Sequence, residues 1–413
     1  MAQPYRILVE RMVVVSLALA GCNGDKTPTP PTCAGVLAPR TFPNTVDTTF
    51  PTGPIVSHTT TVSTTIMWEL ASDCGEDGNV AFGMSGEALT ETAYAQSTGL
   101  IRKAALTGLA PDTVYDYQVS CCGLVTAPLS FATAPPATAP IRFTVLGDTH
   151  ANPTIMGGIV AQMMARHPHL VVHTGDEVND GAVHTEWQDG FWAPLRQLGH
   201  YLPTYAAMGN HENHSDYYFD YHAYPFTDFF IDRKHGAFYS FTYGTVFFLM
   251  IDTTDVTFAL ASFGETQLTA WIREELASAA ARNATWRIAV GHYGAFSDGW
   301  ESCDSGSFAG FAPVAEWLFP LLAENGFQAY FAGHTHDYER GVSGGVAHII
   351  SGGGGGSLDQ RCRELPEVEV VELRHHYVVV DATCDSLTLN AYDSQEDTVP
   401  FDTLTIGRPR VEE

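Results

Sequence analysis

Five short apolar runs in this chain stop in the same way. Residues 143–146 lead into Gly147-Asp148, residues 170–172 into Gly175-Asp176, residues 205–208 into Gly209-Asn210, residues 288–290 into Gly291-His292 and residues 330–332 into Gly333-His334. An unbroken apolar run bounded by Gly and a polar residue reads as a buried parallel strand, and its C-terminal end is where open α/β sheets place their ligands. Helical periodicity predicts helices near residues 155–166 and over 184–198, 264–282 and 312–324, with two strands around Tyr243-Gly244. Strand-rich sequence from Val346 onward closes a second sheet. The alternation predicts an α/β (α+β layered) domain over residues 141–413, a four-layer ββ sandwich flanked by helices.

Upstream the period changes. Residues 40–134 carry short alternating runs such as residues 64–70 and 80–84, separated by Gly, Asp and Ser turns, which predict a small β-sandwich with Trp68 in its core. Residues 133–140, TAPPATAP, are the linker. Residues 23–39 are a Pro/Thr-rich tether, extended by composition. Before it, Arg6 and Arg11 flank an apolar run at residues 12–20 that is too short to span a bilayer. Residues 1–22 therefore read as a signal peptide. They end in Leu19-Ala20-Gly21-Cys22, which is similar to a bacterial lipobox with Cys22 as the lipidated residue. Asn23, rather than Asp, then implies an outer-membrane lipoprotein, and a plainly secreted protein is the alternative.

A net charge of −27 with only 20 Lys and Arg argues against holding a nucleic-acid backbone, so contact with a membrane is expected only through the anchor on Cys22. Of the eight cysteines, seven remain after Cys22, compatible with disulfides in an oxidising envelope but leaving at least one unpaired. Cys74 is expected to bridge to Cys121 or Cys122, and Cys303 to Cys362; Cys33 and Cys384 have no assignment.

The polar residues at the five strand ends are metal-ligand types. Asp148 and His150, Asp176, Asn210 and His211, His292, and His334 with His336 would bring so many N and O donors together only for a multinuclear site. Their order, GDxH, GD, GNHE, GH and GHxH, resembles the calcineurin-like metallophosphoesterases, and HDYER at residues 336–340 is similar to the purple acid phosphatase branch. The resemblance implies that Asp176 bridges two ions, the first also held by Asp148, His150 and His336 and the second by Asn210, His292 and His334. Two such ions acidify a bridging water and bind phosphate oxygens. His211 is then the general acid or phosphate binder, with Glu212 and Asp180 orienting histidines and His214 at the rim. The expected cofactors are two divalent ions, Fe, Mn or Zn.

In two linked positions the chain departs from that branch, which has Gly where His150 stands and a Tyr ligand where Asn179 stands. The paired outer histidines of the branch have no match in residues 293–306. The expected function is hydrolysis of small phosphomonoesters, with phosphodiesters or nucleotides as the alternative. A non-catalytic surface lipoprotein would have lost ligands, and all seven ligand positions are filled. The glycine run at residues 351–357 lacks the Lys of a P-loop and reads as a flexible loop or a close approach to substrate. Residues 106–119, LTGLAPDTVYDYQV, resemble the end of a fibronectin type III domain, with Tyr115 as its hydrogen-bonded corner. Such a module is expected to pack beside the active site and shape its rim.

Overall fold

The computed structural model describes residues 32–41, 43, 45–212, 215–225, 237–255, 258, 264, 266–304, 306–396 and 398–408. The signal peptide, Cys22, most of the tether and His214 lie outside the described residues. Two antiparallel sheets form the first part. One is ordered Thr52–Ser57, Ser63–Glu69, Ile101–Thr107, Gln96–Thr98; the other contains Glu91–Tyr94, Asn79–Met84, Val114–Cys121 and Leu124–Val125, with Leu129–Ala132 also on Val114–Cys121. Alternate residues of Val114–Cys121 point inward, so Tyr115, Tyr117 and Val119 meet Ile66, Trp68 and Val80 in one core. Trp68 is fully buried. The Tyr115 hydroxyl accepts a hydrogen bond from Ala110 N at 2.9 Å.

In the larger part, two sheets lie face to face. The first runs Thr204–Ala206, Leu170–His173, Ile141–Leu146, His376–Ala382, Ser386–Asp393, Asp402–Gly407, and its first three strands are parallel. The second runs Tyr239–Tyr243, Val246–Met250, Trp286–Val290, Ala329–Ala332, Val346–Ser351, Tyr338–Ser343, Val370–Glu372, with four parallel strands in its middle. Between the sheets, Phe143 meets Phe248 edge-on at 5.2 Å and Phe331 at 6.5 Å. The helices Pro153–Ala165 and Ala193–Gly199 bury Met156, Ile159, Met163 and Leu195 in the core of the first sheet. Gln267–Leu276 and Phe319–Glu324 pack Leu268, Ile272 and Leu322 against the second. That is the layered order expected, with one exchange. Val346–Ser351 extends the second sheet, whereas His376–Ala382 pairs antiparallel with Ile141–Leu146 in the first. Its first five residues, HYVVV, are all buried, and such a run belongs inside a sheet rather than at an edge.

Three predicted helices are broken. The run at 264–282 stops at Ala277, and Ser278 caps a new short helix, Ala279–Asn283, by accepting from Ala281 N. The other two begin as wide π-type turns, Glu186–Trp192 and Pro313–Leu318, before tightening into Ala193–Gly199 and Phe319–Glu324. Pro194 and Pro320 each stand at the second residue of the α-helical part, where a missing N–H donor breaks the regular ladder.

Among the described residues the disulfides are Cys33–Cys384, Cys74–Cys122 and Cys303–Cys362, and Cys121 is a buried free thiol. Glu69 of the small sandwich is 1% exposed and accepts from Thr52 Oγ1, Tyr221 OH and Gln188 Nε2, with His184 Nε2 2.6 Å away. Lys103 Nζ donates to the carbonyls of Phe219 and His222 at the end of the helix Asp216–Tyr221. The sandwich therefore grips the helix behind the Asn210-His211-Glu212 loop. It does not shape the rim as expected: no described residue lining the cavity beside His150, Asp176 and His211 comes from it.

Phe143 joins the two sheets from a fully buried position. Replacing it with Ala is expected to cost about 3–5 kcal/mol of stability. Urea denaturation of the metal-free protein measures this, and a loss below 1 kcal/mol would show that the sheets do not depend on this contact.

Candidate metal centre

The polar strand ends meet because their loops are bonded to one another. Asp148 N donates to Gly175 O, His150 N to Asp176 O and Ala151 N to Glu177 O, which fastens the loop after Ile141–Leu146 to the loop after Leu170–His173. Asp148, His150, Asp176 and His334 all have positive φ, 56°, 46°, 56° and 74°. Non-glycine residues rarely adopt this conformation, and each costs roughly 1–3 kcal/mol unless its surroundings impose it. Four together mark a site for which the backbone is bent.

Three donor sets share this space: Asp148, His150 and His336; His150, Asp176 and His211; and Asp176, His292 and His334. Asp176 Oδ2 lies 3.6 Å from His150 Nε2, 3.2 Å from His292 Nε2 and 4.0 Å from His211 Nε2, and Asp148 Oδ1 lies 3.8 Å from His336 Nε2. Asn210 Oδ1 stands 3.0 Å from His292 Nε2. All seven ligand positions expected from the sequence, and His211, are thus brought together around Asp176.

The ring orientations carry the chemistry. His150 Nδ1 faces Asn179 Oδ1, His211 Nδ1 faces Asn179 O, His292 Nδ1 faces Thr174 O and His336 Nδ1 faces Ser357 O, at 2.6–3.2 Å. Each acceptor requires the proton on Nδ1, which leaves Nε2 with a bare lone pair turned toward the carboxylates. Burial pulls the His150 imidazole down to about 4, against the opposing charge of Asp176, and burial together with His292 takes His334 to about 3. The His150 and His334 rings are therefore neutral in neutral solution, whereas for His292 burial is outweighed by the charge of Asp176, which raises the ring. Asp148 Oδ2 and His150 Nε2 are buried with no hydrogen-bond partner. Lone pairs of nitrogen and oxygen that converge without a proton between them repel, so the donor set fits cations held between them.

Burial would raise the Asp176 carboxyl, but His292, His150 and His211 outweigh it and hold the group below the usual carboxylate range. Burial and the neighbouring Asp176 push Asp148 well up. One of the two carboxylates stays charged at the expense of the other until a cation arrives.

The supporting residues differ from expectation. Glu212 orients no histidine; its carboxylate accepts from the backbone N–H groups of Asp176, Glu177 and Gly209 at 2.6–3.0 Å and so shapes the turn that presents Asp176. Asp180 bonds Ala182 N. The glycine run is buried rather than loose. A Cβ on Gly354 would stand 2.3 Å from Gly147 O, and Gly354 and Gly356 N donate to the carbonyls of Gly147 and Asp148. Gly333 is required for the same reason, since its Cβ would meet Asp148 Oδ2 at 2.1 Å. Sequence reasoning missed Trp300, Glu301, Leu358 and Asp359, which line the cavity of about 420 Å³ above the cluster. Trp300 and Glu301 lie in the segment without outer histidines, and Leu358 and Asp359 directly follow the glycine run.

The expected order of ligand motifs, on this two-sheet frame, is matched by a family model for the calcineurin-like phosphoesterases over residues 141–338. These residues form a calcineurin-like phosphoesterase domain. An uncharacterized Mycobacterium tuberculosis protein is 26% identical over 327 residues, covering 65% of this chain and 60% of that one. Purple acid phosphatase 23 of Arabidopsis thaliana is 25% identical over 316 residues, covering 64% of each chain. The chain thus spans less than two thirds of these relatives. A purple acid phosphatase from yellow lupin seeds shares the fold, with a TM-score of 0.69, 18% identity and coverage of 88% of this chain and 74% of the lupin chain.

In the phosphoesterase domain Asp176 belongs to two of the three donor sets. Asp176→Asn is expected to abolish the binding of both divalent ions together with activity, because a neutral amide weakens every shared contact. Elemental analysis of the purified variant checks this, and two retained ions with full activity would remove Asp176 from the bridging role.

Proposed function

We propose that the chain hydrolyses phosphate esters with two divalent ions, Fe, Mn or Zn, in the bacterial cell envelope, and that small phosphomonoesters are its substrates. The observation that carries this reading is the set of histidine Nε2 lone pairs turned onto two buried carboxylates. Asp148, His150 and His336 would hold one ion and Asn210, His292 and His334 the other, with Asp176 available to both. When bound, the ions supply Lewis-acid activation of water and of the phosphoryl group. The chain's residues do the rest. Asn210 contributes a neutral oxygen, which leaves more net positive charge for an anionic substrate. His211, with its side chain 38% exposed, is more accessible than His150, His292 or His336, and Asn179 O fixes its ring. With Nδ1–H held by Asn179 O, a proton taken up at Nε2 can be passed to the departing alkoxide.

A second reading has its own support. Among the described residues lining the cavity there is no Lys or Arg, and a diester monoanion needs less compensating charge than a monoester dianion. Rates of the metal-loaded protein on a monoester and a diester of the same phenol, with the metal content measured alongside, decide between them. Activity on neither with both ions bound would end the proposal. Attachment to the outer membrane through lipid on Cys22, and a fibronectin type III identity for the sandwich, belong to the same proposal.

For His211→Ala the expected result is both ions retained and kcat lower by about two orders of magnitude, the usual yield of a positioned general acid. Alkyl phosphates should suffer more than p-nitrophenyl phosphate, since the poorer leaving group needs the proton. Equal losses would remove the general-acid role.

Asn179 occupies the place of a tyrosinate ligand, yet its amide holds His150 by Nδ1 and by the His150 carbonyl, at 3.2 and 2.8 Å. Without a phenolate, no charge-transfer colour and no stabilisation of Fe(III) are expected. The protein should be colourless, active with divalent ions, and most active near or above neutral pH. A purple band in the isolated protein, or an acidic optimum with ferric iron, would contradict the exchange.

A further inference from the structure

The segment that lacks outer histidines delivers two other side chains to the cavity. Glu339 accepts from Ser297 Oγ, Asp298 N and Gly299 N at 2.8–3.0 Å, and so clamps the start of this turn from beneath. Gly299–Trp300 pairs with Gln360–Arg361, Arg361 bridges to Asp298 at 3.1 Å, and Cys303–Cys362 closes the far end. The backbone of a turn fastened at so many points is held in place before any ligand arrives.

Trp300 and Glu301 line the cavity beside Asp359 and Leu358. The half-buried indole lies 5.2 Å from the His334 ring and 5.5 Å from Phe308. Glu301 is exposed and makes no ion pair among the described residues. A carboxylate at the mouth of an anion pocket opposes every dianion that enters, and no Lys or Arg among the described lining residues offsets it. The arrangement helps only a substrate whose other end is positive. An indole and a carboxylate that line one cavity can together receive an alkylated or primary ammonium.

We propose that Trp300 and Glu301 select phosphate esters of amino alcohols, the phosphoryl group entering the metal centre while the ammonium rests between the indole and the Glu301 carboxylate. This specificity rests on the phosphoesterase reading of the site and adds a substrate class to it.

The test uses the full chain loaded with divalent metal and compares kcat/KM for choline phosphate with that for its neutral isostere, 3,3-dimethylbutyl phosphate. The choline ester is expected to be favoured by roughly tenfold, the scale of a desolvated cation–π contact assisted by one carboxylate. In Glu301→Gln and in Trp300→Leu the ratio should fall toward one, with Trp300→Phe retaining part of it and metal content unchanged in each. A wild-type ratio of one or less, or variants that keep the wild-type ratio, would overturn the specificity. p-Nitrophenyl phosphate is run in parallel. Its hydrolysis with no preference for choline phosphate rejects the amino-alcohol site alone, whereas inactivity on all three esters at full metal loading rejects the phosphoesterase reading beneath it.

Discussion

The structure depends on keeping one carboxylate, Asp176, charged while it is 1% exposed. An isolated buried charge is too costly to persist, so it must be surrounded by groups that answer it. The imidazoles do so only in part, because Nδ1 hydrogen bonds have turned their lone pairs inward. What remains is a deficit of positive charge at the meeting point of strands from two sheets. The buried Phe143–Phe248 contact and the loop-to-loop hydrogen bonds keep that point from spreading.

The same demand explains the supports. Glu212 takes four backbone N–H groups, those of Asp176, Glu177, Val178 and Gly209, so that the Asp176 turn is firm, and the helix that follows it is gripped by Lys103 and Tyr221–Glu69 from the small sandwich. His222, at the end of that helix, lies 3.1 Å from the Glu177 carboxylate, immediately after Asp176. The sandwich is thus mechanically connected to the ligand loops although it contributes nothing to the described wall of the cavity.

Much of this was legible in the chain. Apolar runs ending in Gly and a ligand specify both a parallel strand and the edge at which it stops, so Asp148, Asp176, Asn210, His292 and His334 could be placed before any coordinates. Ring orientation was not legible, because the acceptors are mostly backbone carbonyls such as Thr174 O and Ser357 O that no side-chain code announces. The glycine run left two readings open for a related reason: glycine signals either looseness or a neighbour too close for a Cβ, and only packing distinguishes them. Cys33–Cys384 joins residues 351 apart, a separation that local sequence cannot reveal.

The left-handed backbone at Asp148, His150, Asp176 and His334 affects how mutagenesis of this centre is to be interpreted. Asn tolerates this conformation better than most residues, whereas Ala has no side chain that bonds locally to compensate. An alanine scan would therefore remove a ligand and unsettle the turn that carries it, combining two effects in one number. Amide replacements of the two aspartates keep the turn and remove only the charge. The difference between the amide and alanine variants at one position would then report how much the bent backbone itself contributes to presenting the ligands.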